Sequence, residues 1–137
     1  MKIDTQFCVF LENIPERTAD ICSSLAMEGI NILGLSIIDA VDYGVARLVV
    51  DNPHTARGIL QDSRYAFTEV SVLTIEVENN PGALADVLRS LVRQRIKIDY
   101  FYTTAADGVD RAHAVVRCQP LKKAQEVLQN RKQLVAA

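Results

Sequence analysis

The chain contains one internal repeat, and this repeat constrains the fold more than any other feature of the sequence. Residues 12–50 align without a gap onto residues 78–116 at an offset of 66, with 13 identical pairs among the 39 positions. After residue 116 a two-residue insertion restores the alignment, which pairs Ala56 with Ala124 and Leu60 with Leu128. We therefore predict two copies of one small module in tandem, over residues 1–70 and 71–137.

The second copy shows the order of elements most clearly. Residues 72–77 alternate branched and polar side chains, as a half-buried strand does. A Pro-Gly turn follows, and then apolar residues at helical spacing, which are Leu84, Val87, Leu88, Leu91 and Val92. Residues 96–103 and 112–118 predict two more strands around a turn at 106–108. A second helix follows, and residues 133–137 predict a short final strand.

The first copy repeats this plan. Its predicted elements are a strand at 6–11, a helix at 15–28, strands at 31–39 and 44–51, a short helix near 55–61 and a strand at 65–70 that runs directly into the next copy. Gly29 has the position and type of a residue that ends a helix. The order β-α-β-β-α-β predicts an α+β fold of two ferredoxin-like units, each an antiparallel sheet with its helices on one face.

Composition and charge exclude several classes of partner. The net charge is −2, which does not favour nucleic acid. No apolar stretch approaches the length of a membrane span or of a signal-peptide core. The three cysteines are scattered, and neither His54 nor His113 has a cysteine or carboxylate at metal-ligand spacing. We expect a cytoplasmic protein with no membrane or nucleic-acid partner, no metal and no cofactor.

The segment Asn79-Asn80-Pro81-Gly82, between a strand and a helix, is the best candidate for chemistry. A helix N-terminus exposes backbone N–H groups that can bind a carboxylate. Gly82 would allow a ligand to approach the backbone, and the Asn79 side chain has both a donor and an acceptor. The alternative is that Asn79 and Pro81 simply cap and start a helix. Spacing alone leaves both interpretations open.

The pattern of a strand, Asn-x-Pro-Gly-x-Leu, a helix and then Ile30-Asn31-Ile32 resembles the ACT domain, a regulatory module attached to many enzymes of amino-acid metabolism. The resemblance covers nearly the whole chain, once per repeat. The chain resembles stand-alone tandem ACT proteins more closely, because their first copy is likewise followed by an acidic residue, an aromatic residue and glycine in the hairpin, which are Asp42, Tyr43 and Gly44 here. The resemblance implies an amino acid or similar effector bound where two ACT units meet, and no catalytic site.

Carried over residue by residue, the resemblance implies a ligand site built from two different positions. The second copy keeps the loop, whose residues are Asn79, Asn80, Pro81, Gly82, Ala83 and Leu84. The first copy keeps Asn13 but has Glu16 and Thr18 in place of the expected Gly and Leu. It also keeps Asn31 at the start of its second strand, where the second copy has Lys97. We expect one site from the 79–84 loop and Asn31, and an altered site at Asn13.

These observations predict a non-catalytic, allosteric regulatory protein that binds an amino acid. We expect it to form a homodimer through sheet edges or helix faces and to act in trans on an enzyme of amino-acid metabolism. Two alternatives remain: an interaction module without a small ligand, and a small enzyme on a ferredoxin-like scaffold. The enzyme is disfavoured because no nucleophile–base pair or metal set is evident. RNA binding through Tyr100, Phe101 and Tyr102 is disfavoured because the third strand lacks a basic-aromatic segment.

Overall fold

A computed structural model describes residues 1–12, 14–39 and 42–136, without the side chains of Ile14 and of residues 131–136. The elements in chain order are β1 (Lys2–Leu11), α1 (Ile14–Met27), β2 (Ile32–Asp39), β3 (Gly44–Val50), α2 (Pro53–Asp62), β4 (Ala66–Glu78), α3 (Ala83–Arg93), β5 (Lys97–Thr104), β6 (Arg111–Gln119) and α4 (Leu121–Ala136). The chain divides into two units. The N-terminal unit is Thr5–Val70, and the C-terminal unit is Ser71–Ala137 together with Met1–Asp4.

The N-terminal unit has the strand order β4, β1, β3, β2, with β3 antiparallel to both of its neighbours. Alternate side chains of a strand point to opposite faces, so one face of this sheet is apolar and carries both helices. The core contains Phe7, Val9, Leu11, Ala46, Leu48 and Val50 from the strands and Ile21, Leu25, Ala56 and Leu60 from the helices. The predicted ferredoxin-like arrangement is confirmed.

Helix ends in the two units use the same backbone geometry with different residues. Gly29 ends α1 in the left-handed region at φ 71°, and the N–H of Ile30 donates to the Leu25 carbonyl over 3.0 Å. The equivalent residue after α3 is Arg95 at φ 57°, where the N–H of Ile96 donates to the Leu91 carbonyl over 3.1 Å. The helix end that Gly29 predicted is therefore confirmed, and the second copy reproduces it without a glycine.

The C-terminal unit packs α3 and α4 on one face of β4, β6 and β5. Its core includes Leu73, Ile75, Val77, Ala112, Ala114, Val116 and Cys118 from strands and Val87, Leu91, Ala124 and Leu128 from helices. The N–H of Val109 donates to the Ala106 carbonyl over 3.3 Å in the turn between β5 and β6. That turn lies where the sequence predicts it.

The predicted final strand at residues 133–137 is wrong, because α4 continues to Ala136. The first residues of the chain take that place beside β4, on the side away from β6. The Thr74 hydroxyl lies 3.4 Å from the Lys2 carbonyl oxygen and 3.3 Å from a carboxylate oxygen of Asp4. Residues Met1–Asp4 therefore supply the fourth strand of the C-terminal unit, and β1 begins four residues earlier than predicted.

Helix α2 and strand β4 are both longer than predicted. Helix α2 begins at Pro53, because the Asn52 side chain caps it by accepting the Thr55 N–H over 3.2 Å. Strand β4 is continuous from Ala66 to Glu78, which confirms that the last strand of the first copy runs into the second copy. Within the described residues, no helix combines the length and apolarity needed to cross a membrane.

Candidate ligand-binding site

The C-terminal unit contains an open cavity of about 890 Å³ at the end of β4. Two segments line it: Glu78, Asn79, Asn80 and Pro81 from the end of β4 and the loop that follows, and residues 105–111 from the turn between β5 and β6. We call the connection between β4 and α3 the β4–α3 loop (79–82) and the connection between β5 and β6 the β5–β6 turn (105–110); Glu78 and Arg111 are the neighbouring strand residues. The cavity is therefore built by two loops at one end of one sheet, where binding residues commonly lie.

Asn79 joins these two segments. Its side-chain Nδ2 donates to the carbonyl oxygens of Ala106 and Val109, each over 2.8 Å, and its backbone N–H donates to the Asp110 carbonyl over 2.9 Å. Both amide hydrogens are thus used inside the protein, so the side chain has no donor left for a ligand carboxylate. The Oδ1 atom can still accept a hydrogen bond. The contact of Asn79 with a ligand stays a prediction, and Oδ1 is the side-chain atom that remains for it.

Gly82, rather than Asn79 or Pro81, is the N-cap of α3, which makes the simple capping alternative wrong. Its backbone is left-handed, at φ 91° and ψ −16°, and no side chain accepts a hydrogen bond from the first turn. A Cβ at this position would meet nothing within 4 Å, so the glycine serves the backbone conformation rather than close packing. The N-cap residue therefore supplies no side-chain oxygen to the first turn, where the Ala83 N–H donates to the Asn80 carbonyl over 3.3 Å and Asp86 is the acidic residue.

The cavity carries charges of both signs. Glu78, Asp107 and Asp110 supply carboxylates, and Arg111 supplies a guanidinium group. Arg111 is the residue directly opposite Glu78 in the pairing of β4 with β6. Glu78 also accepts a hydrogen bond from Asn80 Nδ2 over 3.1 Å. The cavity can therefore meet a cationic group with carboxylates and an anionic group with Arg111 and the nearby start of α3.

The first copy is built differently at the equivalent position. Relative to the repeat, α1 begins three residues earlier than α3, so a helix occupies positions that form a loop in the C-terminal unit. Glu16, which replaces the glycine, lies in the first turn of α1, where a carboxylate interacts favourably with the helix dipole. Thr18, which replaces the leucine, is buried, and among the residues that the structure describes its hydroxyl has no hydrogen-bond partner. Asn13 lies outside the described residues.

The other predicted site residues have separate surroundings. Ala83 begins α3, and Leu84 is half-buried against the core of the C-terminal unit. Asn31 precedes β2 in the N-terminal unit, where its N–H donates to Asp51 Oδ1 over 3.0 Å and its carbonyl accepts the Asp51 N–H over 3.1 Å. Lys97, its counterpart, forms an ion pair with Asp99 at 3.5 Å.

Sequence reasoning identified the β5–β6 turn only as a turn and missed Asp107, Asp110 and Arg111 as cavity residues. A usable signal exists, because antiparallel pairing of the first and third strands of a copy puts residue 111 opposite residue 78. The turn that precedes residue 111 must then lie beside the loop that follows residue 78.

A family model described as an ACT domain pair matches residues 1–137. The chain belongs to the ACT domain family. Its two units are therefore a pair of ACT domains, and the cavity lies in the second of them, between the segment that follows β4 and the turn between β5 and β6.

Several solved structures have a similar fold. Protein BT0572 from Bacteroides thetaiotaomicron is 35% identical, with a TM-score of 0.86 over 95% of this chain and 89% of that one. The ligand-free regulatory subunit of aspartate kinase from Thermus thermophilus is 12% identical, with a TM-score of 0.68 over 94% and 93% of the two chains. The regulatory subunit of aspartate kinase from Thermus flavus is also 12% identical, with a TM-score of 0.61 over 94% and 93% of the two chains. At this identity the two kinase subunits share the fold alone. Among curated proteins no significant match is found.

The remaining reactive side chains of the ACT pair do not form a second centre in the part of the chain that the structure describes. No group of three or more histidine, cysteine or acidic side chains is arranged to hold a metal ion there. Cys8, Cys22 and Cys118 are free thiols, and burial raises the pKa of Cys22 and of Cys118. A raised pKa lowers the thiolate fraction, so these two thiols are poor nucleophiles.

Proposed function

We propose that this ACT pair is a non-catalytic regulatory protein whose second domain binds a free amino acid in the cavity between the β4–α3 loop and the β5–β6 turn. The observation that carries the proposal is the pair of hydrogen bonds that Asn79 Nδ2 donates to the facing turn. These bonds join the two segments and fix the orientation of the side-chain amide, so its Oδ1 atom is held in place as an acceptor. A polar cavity between two joined loops, beside a helix N-terminus without a capping side chain, suits a small zwitterion.

The charges suggest how an amino acid would lie. Its carboxylate would be directed to the start of α3 and to Arg111, because both favour negative charge. Its ammonium group would meet the Asn79 Oδ1 atom and the carboxylate of Asp110 or Glu78. The three lining carboxylates outnumber the single guanidinium group, so a dicarboxylic ligand without an ammonium group should bind worse than an amino acid.

Regulation would follow from contacts of the ligand with both loops that line the cavity. An amino acid that contacts both the β4–α3 loop and the β5–β6 turn stabilises the conformation in which Asn79 joins them, and depopulates conformations in which they separate. A partner that recognises this end of the domain would then bind with a ligand-dependent affinity. We propose an enzyme of amino-acid metabolism as that partner, since regulatory subunits of aspartate kinase share the fold.

The direct test is a thermal-shift screen of the whole chain against the twenty proteinogenic amino acids, followed by calorimetric titration of any hit. A ligand present at one hundred times its Kd should add about 2.7 kcal/mol of apparent stability, which raises Tm by several degrees in a protein of this size. The Arg111→Ala variant should weaken the hit, because the only guanidinium group of the cavity is removed. No shift with any amino acid, together with capture of a protein partner, would favour the ligand-free interaction module instead.

Three expectations from the sequence stay predictions. The first is that Asn31 contributes to the same ligand as the 79–84 loop, which Asn31→Ala tests through the measured Kd. The second is that Asn13 has lost or changed its binding role. The third is the cytoplasmic location, which fractionation of cells that produce the tagged protein would test.

A further inference from the structure

Five exposed basic side chains gather at one end of the C-terminal unit. They are Arg89, Arg93 and Arg95, in the last turns of α3 and just after it, and Lys122 and Lys123, at the start of α4. The Lys123 Nζ atom donates to the Gln94 carbonyl oxygen over 2.9 Å, so the end of α3 and the start of α4 are adjacent. We call these five residues the basic surface.

The charges of the basic surface are not explained by the helices that carry it. Among the side chains that the structure describes, none of the five forms an ion pair. A cation in the last turn of a helix is favourable, which accounts for Arg93. Lys122 and Lys123 are in the opposite position, because they lie in the first turn of α4, which has no acidic residue. The helix dipole disfavours positive charge there.

The first copy of the repeat provides an internal comparison. At the positions equivalent to the basic surface it has Ser23, Met27, Gly29, His54 and Thr55, none of which has a fixed positive charge at pH 7. Helices α1 and α2 nevertheless form, and they pack on their sheet through the equivalent core positions. The module therefore folds without cations at these positions, and the basic surface is a feature of the second copy that its fold does not require.

We propose that the basic surface docks an acidic segment of another protein, in which carboxylates surround a small apolar side chain. Val92 on α3 is 64% exposed and lies three positions from both Arg89 and Arg95, so an apolar side chain is present among the guanidinium groups. Protein interfaces combine an apolar centre with a polar rim in this way. The guanidinium groups would pair with the carboxylates of the segment.

Nucleic acid and membranes fit this surface less well. Asp86 and Glu126 are exposed on the same two helices, and they would repel a continuous polyanion, whereas the carboxylates of a protein segment can be spaced to avoid them. Within the described residues of the C-terminal unit no large aromatic side chain is exposed, so nucleic-acid bases have none on which to stack. A helix that lies on a membrane needs an exposed apolar face, but the apolar face of α3 is buried in the core.

The basic surface and the ligand cavity lie at opposite ends of α3. The helix begins next to the loop that lines the cavity and ends at Arg93, 11 residues later, which corresponds to about 16 Å. A segment bound to the basic surface would therefore leave the cavity accessible. The proposal does not depend on an amino-acid ligand, so its failure would leave the proposed function intact.

The test is fluorescence anisotropy of the whole chain with a labelled peptide of glutamates around a central leucine. The wild type should bind this peptide saturably at low salt and more weakly as salt is added, and it should not bind the same peptide with glutamine in place of each glutamate. The double variant Arg93→Met/Arg95→Gly carries the residues that the first copy has at these positions. It should raise the peptide Kd at least about fivefold, because two charge contacts are lost.

Arg17→Ala/Arg64→Gly is the matched control for the double variant. It changes the net charge from −2 by the same amount, and Arg64, like Arg95, has a positive φ, at 61° against 57°. The control should leave the peptide Kd unchanged. An equal loss in both variants, equal binding of the glutamine peptide, or no binding at low salt would overturn the proposal. Tighter binding of single-stranded RNA or of phosphatidylglycerol vesicles at the same residues would also overturn it.

A second measurement uses the wild type alone and so does not depend on the folding of a variant. A ¹H–¹⁵N NMR titration with the glutamate peptide should shift the amides of residues 89–95 and 121–124 and leave those of the β5–β6 turn unchanged. Shift changes that are centred outside the ends of α3 and α4 would contradict the assignment of the docking surface.

Discussion

Replacement of Asn79 by alanine is the most informative perturbation of the cavity. The substitution removes two hydrogen bonds of 2.8 Å that the side chain donates to Ala106 and Val109, and it keeps the backbone bond to Asp110. A hydrogen bond contributes about 0.5–1.5 kcal/mol to stability. Because Asn79 is exposed, water can replace its amide at the two carbonyl groups, so the lower part of that range applies to each bond. We expect the free energy of unfolding to fall by about 1–2 kcal/mol.

The assay has two readouts. Thermal unfolding should give a Tm lower by about 3–6 °C, the shift that such a loss produces in a chain of this size. Hydrogen exchange at the backbone N–H of Val109, which donates to Ala106, should accelerate, while exchange in β2 and β3 should not. Affinity for any amino-acid ligand should fall at the same time, because the substitution separates the two segments that line the cavity.

Asn80→Ala is the matched control for this perturbation. Asn80 lines the same cavity, but its side chain makes a single hydrogen bond of 3.1 Å, to Glu78 within its own segment. We expect a loss of less than about 0.5 kcal/mol, as for most surface substitutions. If Asn79→Ala costs no more stability than Asn80→Ala, and the turn exchanges at the wild-type rate, the account of Asn79 as the link between the segments is wrong.

Gly82→Val and Gly29→Val should each lower the free energy of unfolding by about 1–2 kcal/mol, because both place a side chain at positive φ. Calorimetry should show weaker ligand binding for Gly82→Val and unchanged binding for Gly29→Val. The side-chain hydrogen bond from Arg57 lowers the pKa of Glu69 below its usual 4.5, so the pair stabilises the fold above that pH and this contribution disappears as pH falls through the lowered pKa. NMR titration should show a midpoint for Glu69 below 4.5 that Arg57→Ala raises, with only a small change in stability because the pair is exposed. Deletion of Met1–Asp4 should accelerate hydrogen exchange in the Ser71–Glu78 part of β4, whereas unchanged exchange there would mean that the first residues do not complete the C-terminal unit.

The repeat made most of the fold predictable, because local patterns decide the elements and the second copy checks the first. The predictions that failed depend on contacts between residues that are far apart in the sequence. The end of α4 cannot be distinguished from a strand by its last apolar residues alone. The strand that lies beside β4 instead of the predicted final strand comes from the opposite end of the sequence, where Lys2 and Asp4 contact Thr74. Nothing in the local pattern of residues 1–4 indicates which of the two units they join.

In the candidate site, too, the local features were predictable from the sequence and the long-range contacts were not. The turn at Gly82 and the start of α3 follow from local chemistry, since only glycine accepts that backbone conformation easily. The role of Asn79 does not, because its two acceptors, Ala106 and Val109, lie 27 and 30 residues further along the chain. An asparagine that suggests ligand binding by its type is instead committed mainly to the protein, and the charged residues of the facing turn become candidates in its place.

The most direct test of the central claim is a two-dimensional ¹H–¹⁵N NMR titration of the whole chain with the amino acid that gives the largest thermal shift. We expect saturable shift changes centred on the amides of Asn79, Asn80, Gly82 and the 105–111 segment, and their loss in Arg111→Ala. Binding whose shift changes avoid both the β4–α3 loop and the β5–β6 turn would contradict the account, even if the protein proves to be an amino-acid sensor.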